Sequence, residues 1–232
     1  MEGKIRLKKP IIIEFAGISG TGKTYVASKL NVELIKRNWS SIKLSKWEKR
    51  GIITKISFDN LISFFSAIRL LFLLKPKNIR GCFRILRRLF TIISKYKFYY
   101  KNPMIYIEDE GLFKKVAVLF HESKVGTRRE IVNIFFDVIP FPDIVIFLKA
   151  NPETIRKRLN NRDGKNKENR KEMIEKRIKN QFSNLQTIKG ITSSKKSLKL
   201  FEMENEEECF EVEFEGLLEG VIYFLNSSKI NC

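Results

Sequence analysis

Eight residues near the amino terminus have the types and spacing of a phosphate-binding loop. The stretch 17–24 reads GISGTGKT and matches the pattern G-x-x-x-x-G-K-[ST] at every fixed position. Glycines let the backbone curve closely around a ligand, and the N–H groups of the loop then converge at the positive end of a helix dipole. The pattern predicts that a nucleoside triphosphate is bound by Gly17, Ser19, Gly20, Thr21, Gly22, Lys23 and Thr24.

Two of these side chains have separate predicted roles. Lys23 would reach the β- and γ-phosphates, and the hydroxyl of Thr24 would hold Mg²⁺. The apolar run 11–16 predicts a strand before the loop, and Val26 and Leu30 begin the apolar face of a helix after it. Because this is the context that the motif requires, we expect ATP and Mg²⁺ as ligands. A chance match in a turn before a helix is the alternative.

Acidic side chains follow a second apolar run, at 104–107. Glu108, Asp109 and Glu110 stand where a parallel strand would end beside the phosphate loop. Carboxylates in that position complete a Mg²⁺ site or supply a catalytic base. We predict Asp109 as the metal ligand beside Thr24, and Asp109 or Glu110 as the base. The alternative is a polar strand end before a helix, where acidic side chains favour the helix dipole.

Arginines follow a third apolar run, at 144–148. Arg158 lies on a predicted helix opened by Asn151-Pro152-Glu153, and Arg162 lies in the polar stretch 160–166. This arrangement predicts a lid over about 156–180, which closes over phosphates and excludes water. We expect Arg158 and Arg162 to stabilise the charge of the phosphoryl group during transfer.

A basic region lies between the first two sets of candidates. No acidic residue occurs from 60 to 107, and two helices are predicted there, at about 60–74 and 79–96. The first helix is apolar on nearly every face, which predicts burial on several sides. The second carries one stripe of arginines: Arg80, Arg84, Arg87 and Arg88. The stripe is a solvated face, a wall that holds phosphate, or an attachment surface for anionic lipid.

A short strand predicted at 41–44 adds two substrate-binding candidates, Trp47 and Arg50. Ligands of doubly wound sheets bind beyond the carboxyl ends of the strands, which is where these two side chains would lie. Trp47 and Arg50 fit equally well in an ordinary polar loop that binds no substrate. For the acceptor we therefore predict contacts from Trp47, Arg50, Arg80 and Arg84.

The amino-acid composition indicates which kinds of partner and compartment suit the protein. The 232 residues carry a net charge of +19, which favours an anionic small molecule, nucleic acid or an anionic membrane surface. Three cysteines without a C-x-x-C pair suit a reducing cytoplasm, where we expect the protein. The predicted last helix, 206–226, is acidic and could dock on a basic surface of the same chain or of a second copy. We expect a homodimer.

The order of predicted elements indicates one α/β domain over 1–232. It is a three-layer P-loop NTPase sandwich with about five parallel strands flanked by helices. The chain resembles the nucleoside and nucleotide kinases, most closely their thymidylate kinase-like branch. The residues that carry this resemblance are 17–24, 142–148 with Asn151-Pro152-Glu153, and Arg156, Arg158 and Arg162. The resemblance implies ATP as phosphoryl donor, an acceptor-side region at about 45–101, and the lid.

Two departures from that family fall on the acceptor side. Thymidylate kinases have Asp-Arg-Tyr after the third strand, where this chain has Asp109-Glu110-Gly111. They have an Arg-Glu-Pro-Gly type motif after the second strand, where this chain has KWEKR at 46–50. The expected activity is therefore transfer of the γ-phosphate to an anionic acceptor, as in the nucleotide kinases. The alternatives are a P-loop NTPase associated with nucleic acid or a membrane, and a kinase for a phosphosugar or envelope precursor.

Overall fold

The computed structural model describes residues 5, 7–43, 61–109, 111–112, 115, 119, 142–163, 175, 179, 190 and 198–228. Five strands and five helices have both ends within this part of the chain. In chain order they are β1 (Ile11–Ala16), α1 (Lys23–Lys36), β2 (Ser41–Ile42), α2 (Leu61–Leu74), α3 (Ile79–Tyr99), β3 (Ile105–Glu108), β4 (Ile144–Lys149), α4 (Pro152–Asp163), β5 (Lys199–Glu204) and α5 (Phe210–Ser227).

The five strands form one parallel sheet with the order β2-β3-β1-β4-β5. The central strand β1 pairs with β3 on one side and β4 on the other, so that Ile13 lies opposite both Ile107 and Ile144. Since all strands run the same way, every strand-to-helix connection in the described chain leaves from one edge of the sheet. In such sheets ligands bind at that edge, where the strand order diverges.

Both faces of the sheet are buried, which explains the nearly continuous apolar runs in its strands. On one face Ile13, Phe15 and Ile146 pack against α1 and α5. On the other face Ile12, Tyr106 and Val145 pack against α2 and α3. This is a three-layer α/β/α sandwich, and the predicted fold class is confirmed.

Several predicted boundaries are wrong by a few residues. The strand β3 is displaced by one residue and includes Glu108. The helix α4 continues to Asp163, so 160–163 are helical and not a polar loop. The buried side chains of Ile155 and Leu159 fix this helix, and its sequence has no glycine before Gly164. The last helix begins at Phe210 and not at 206.

The prediction that α2 is buried on several sides is also wrong. Leu70 and Leu74 are buried, but Phe65 and Phe72 are 66% and 75% exposed. Apolar side chains at the start of α3 are exposed as well, since Ile79 is 77% and Phe83 69% accessible. No described helix combines the length and apolar character that crossing a membrane requires.

Asp143 joins three strands at the amino-terminal edge of the sheet, away from the phosphate loop. Its carboxylate accepts hydrogen bonds from Ile12 N and Lys9 Nζ, both at 2.9 Å. Its carbonyl oxygen accepts a bond from Lys199 N. The hydrogen bond and charge of Asp143 raise the pKa of Lys9. Asp143 therefore has a structural role in aligning β1, β4 and β5.

Candidate phosphate-binding site

The loop between β1 and α1 has the backbone of a phosphate cradle. Gly17, Gly20 and Gly22 all have positive φ angles, of 151°, 96° and 84°. Gly22 forms the N-cap of α1, and glycine has no side chain to cap the N–H groups of that first turn. These N–H groups lie at the positive end of the helix dipole, where an anion is favoured.

Lys23 is held against the loop that it is predicted to serve. Its Nζ donates to the carbonyl oxygens of Gly17 at 2.9 Å and Ile18 at 2.7 Å, and the residue is only 9% exposed. Thr21 closes the loop from within, because its hydroxyl also donates to Ile18 O. A phosphate that enters the loop therefore meets an ammonium group already held beside the turn.

Asn205, just beyond β5, is a site residue that the sequence did not indicate. Its Nδ2 donates to Thr21 O at 2.6 Å, and the residue is 5% exposed. It also fills the space beside Gly22, where an added Cβ would lie 2.1 Å from Asn205 Nδ2. The close approach, together with the positive φ, requires glycine at this position. The only sequence signal for Asn205 was its place after the last predicted strand.

Arg158 connects this corner to α4. Its Nη2 donates to Asn205 O at 3.0 Å. Its Nη1 lies 3.7 Å from the position of a Cβ built on Gly22. Within the described part of the chain, this solvent-shielded Nη1 makes no hydrogen bond. Two predicted site residues, Gly22 and Arg158, are therefore brought together, with a guanidinium donor beside the loop.

Glu206 fixes the start of α4. Its carboxylate accepts a bond from Asn151 N and one from the hydroxyl of Thr154 at 2.8 Å. Burial acts to raise the pKa of Glu206, but these two hydrogen bonds and the charge of Arg158 outweigh it, so the pKa is lowered. The residue was predicted in the first turn of the last helix, and its carboxylate instead holds the segment that begins α4.

Asp109 lies at the tip of β3, where it was predicted. Its Oδ2 is 3.7 Å from the Nζ of Lys43, which follows β2. The same Nζ donates to Thr24 O at 2.9 Å and to Ser28 Oγ at 2.7 Å. One ammonium group therefore links the tip of β3 to the first turn of α1. Lys43 could not be recognised from the sequence, because its neighbours are close only in the folded sheet.

Glu108 faces the interior and not the site. It forms an ion pair with Lys95 and accepts a hydrogen bond from the hydroxyl of Tyr99. Lys95 and Glu108 have side chains that are 4% and 1% exposed. Glu14, opposite Glu108 in the sheet, is also buried, and the hydroxyl of Tyr96 lies 3.4 Å from its carboxylate. Burial, followed by the charge of Glu108, raises the pKa of Tyr99.

A cavity of about 480 Å³ opens beside the loop. Gly22 and Arg158 form one part of its wall, and Asn205 with the start of α5 forms another. Two aromatic rings, of Tyr25 and Phe210, border it with their centroids 5.4 Å apart. Its position, next to the phosphate loop and walled partly by flat rings, suits the base of a nucleotide.

The remaining predicted residues are placed as follows. Arg80 and Arg84 are exposed on the first turns of α3. Arg162 lies in the last turn of α4, and the structure describes its backbone only. Trp47, Arg50 and Glu110 lie outside the described residues, as does most of the predicted lid beyond 163.

No protein-family model matches the chain, and no curated protein matches its sequence. Among solved structures it is similar to the deoxyadenosine kinase of M. mycoides, which was solved with dCMP and dCDP bound. That likeness has 17% identity and a TM-score of 0.49, and covers 94% of this chain and 100% of the kinase. It is also similar to thymidylate kinase from Ehrlichia chaffeensis, with 14% identity, a TM-score of 0.45, and 94% and 99% of the two chains covered. The fold assignment rests on the sheet order and loop geometry given above.

Proposed function

We propose that this protein is a phosphotransferase that moves the γ-phosphate of ATP to an anionic small molecule. The observation that carries this proposal is the joint position of the loop, Lys23 and Arg158. The loop supplies N–H groups, Lys23 a buried ammonium, and Arg158 a guanidinium donor beside Gly22. Phosphoryl transfer needs little more from a protein than such positioning and charge stabilisation.

The donor would lie along the loop with its base in the neighbouring cavity. The cavity shares Gly22 and Arg158 with the phosphate site, so that one nucleotide can occupy both. Tyr25, which is 58% exposed and packs against the buried Phe210, offers a ring surface for a purine. This arrangement supports ATP binding at the site and leaves the choice of base to experiment.

The residues near Asp109 fit a Mg²⁺ ion. Hydroxyl and carboxylate oxygens are the ligands that Mg²⁺ prefers, and the ion usually keeps water and substrate phosphates as its other ligands. Thr24 and Asp109 would hold the ion, which would neutralise charge on the phosphates. Lys43, within reach of both residues, would orient Asp109.

The acceptor would lie on the α3 side of the sheet edge. Tyr99 stacks on Tyr106 while Lys95 pairs with Glu108, so α3 runs antiparallel to β3 and its arginine-bearing half points towards the site edge. Along the helix, Arg88 lies about 10 Å from Lys95, and Arg84 about 16 Å. We therefore add Arg88 to the predicted acceptor contacts Arg80 and Arg84. Asp109 or Glu110 remains the proposed base, and Trp47 and Arg50 remain proposed contacts.

The test is transfer from γ-labelled ATP to a panel of nucleosides, nucleoside monophosphates and phosphosugars. The expected result is one labelled acceptor class, with transfer lost in Lys23→Ala and kept in Lys36→Ala, a surface variant of the same helix. Arg158→Gln should lower kcat by roughly 10²–10³-fold with a smaller effect on KM, because its donor acts on developing charge. Unchanged transfer by Lys23→Ala would refute the assignment. Hydrolysis without any labelled acceptor, stimulated by nucleic acid, would favour a nucleic-acid-associated NTPase.

A further inference from the structure

The helices α2 and α3 form a hairpin whose tip exposes large apolar side chains. Phe72 near the end of α2 is 75% exposed, and Ile79 and Phe83 at the start of α3 are 77% and 69% exposed. Between them the turn exposes Lys75 and Lys77. We name these five residues the hairpin-tip surface. Apolar side chains grouped in this way on a soluble surface usually mark a binding site.

Every charged residue of the hairpin, 61–99, is basic. Among its described side chains, six basic ones are exposed. They are Arg69, Lys75, Lys77, Arg80, Arg84 and Arg87. The hairpin therefore combines exposed apolar side chains with a positive field. This combination matches a bilayer with anionic headgroups, which attract the cations while the acyl region accepts the apolar side chains.

We propose that the hairpin-tip surface docks the protein on an anionic lipid bilayer. A second copy in a two-fold contact fits less well, because it would bring six cations against six cations. The acidic helix α5 of a second copy would match the charge and exposes Val212 and Tyr223, so self-association is measured as a competing outcome of the test. The phosphates of a nucleic acid would pair with the cations, but they would not bury the apolar side chain of Ile79.

The position of the tip fits this role. The tip lies well beyond Arg88 along the axis of α3, since Phe83 is 12 residues and about 18 Å from Lys95. The phosphate loop packs on the other face of the sheet edge, against α4 and Asn205. A bilayer can therefore meet the tip without contacting the proposed ATP site. The inference does not depend on the proposed function.

The test is co-sedimentation of the full chain with vesicles of phosphatidylcholine alone and with about 30% phosphatidylserine. We expect binding to the anionic vesicles only, weakening as salt is raised. Lys75→Gln with Lys77→Gln should lower the partition coefficient by about 25-fold, or roughly fivefold for each charge. Phe72→Ser with Phe83→Ser should lower it by about tenfold or more.

Matched controls carry the same kinds of change elsewhere. Lys8→Gln with Arg37→Gln removes two exposed charges, and Val212→Ser with Tyr223→Ser removes two apolar side chains that are 79% and 80% exposed. Both controls should bind within about twofold of the unchanged protein, apart from the small effect of net charge. Circular dichroism would verify that each variant is folded.

Three outcomes would overturn the proposal. One is the absence of binding to the anionic vesicles. Another is unchanged binding by folded Phe72→Ser/Phe83→Ser, which would leave only a general attraction between charges. The third is self-association or RNA binding that depends on Phe72 and Phe83 while vesicles are not bound, which would assign the surface to that other partner.

Discussion

Replacing Lys95 by Met should destabilise the protein far more than removing a surface lysine. Lys95 is the cation that faces Glu108, and the two side chains are 4% and 1% exposed. Glu14 lies opposite Glu108 and is also buried, so the variant would leave carboxylates in the interior without this ammonium. Removing one partner of a buried ion pair typically costs about 3–5 kcal/mol. For a chain of this size that corresponds to a fall in Tm of roughly 6–20 °C.

The assay is thermal and urea unfolding followed by circular dichroism. Lys36→Met is the matched control, because Lys36 pairs with Glu33 at the surface, with side chains 64% and 24% exposed. Such a pair contributes about 1 kcal/mol or less. The double variant Lys95→Met/Glu108→Gln should recover part of the loss, since it removes the charge that Lys95 leaves behind. If Lys95→Met were no less stable than Lys36→Met, or the double variant no more stable than Lys95→Met, the reasoning would be refuted.

Three further variants test the contacts that hold the site and the sheet. Asn205→Ala removes the donor to Thr21 O and should weaken ATP binding about tenfold by titration calorimetry; unchanged affinity would contradict a role in shaping the loop. Glu206→Gln removes a carboxylate whose pKa is lowered in the folded protein. The contribution of this carboxylate to the free energy of unfolding is complete above pH 4.5 and is lost as the pH falls through the folded pKa. The unfolding curves of the variant and the parent should therefore converge in acid. Asp143→Asn should cost about 1 kcal/mol at neutral pH. Because the pKa of Lys9 is raised above 10.5, the difference should shrink as pH rises past that value, and a constant difference would exclude the ion pair.

The elements that the sequence predicts well are those set by local pattern. The strand–loop–helix unit around Gly17–Thr24 and the apolar strands β3 and β4 follow from runs and spacings that need no knowledge of distant residues. The strand order β2-β3-β1-β4-β5 does not follow from local pattern. The central strand β1 pairs with β3 and β4, which lie about 90 and 130 residues further along the chain. Strand order was therefore not predictable from the patterns alone.

The site residues divide in the same way. Lys23 and Asp109 were indicated by their own motifs, whereas Asn205 and Lys43 act through neighbours that only the fold brings near. Glu108 shows the sensitivity to register, since a strand that is displaced by one residue turns a carboxylate from the strand end into the core. Composition could not reveal the exposure of Phe72, because an apolar helix face looks the same in sequence whether protein or another partner covers it.

The contacts of α4 separate the two arginines that the sequence grouped together. Ile155 and Leu159 pack against Gly20 of the phosphate loop, and Glu206 accepts a hydrogen bond from the hydroxyl of Thr154 in the first turn. Arg158, which lies between these two apolar side chains along the helix, is therefore held beside the loop by the fold itself. We expect a closing movement of the predicted lid to begin after Leu159, because Ile155 and Leu159 pack against the loop. Arg158 is thus organised before a nucleotide arrives, and Arg162 is the arginine whose position a lid movement could change. A charge that the fold already holds in place, as it holds Arg158, stabilises a transition state without reorganisation during the reaction.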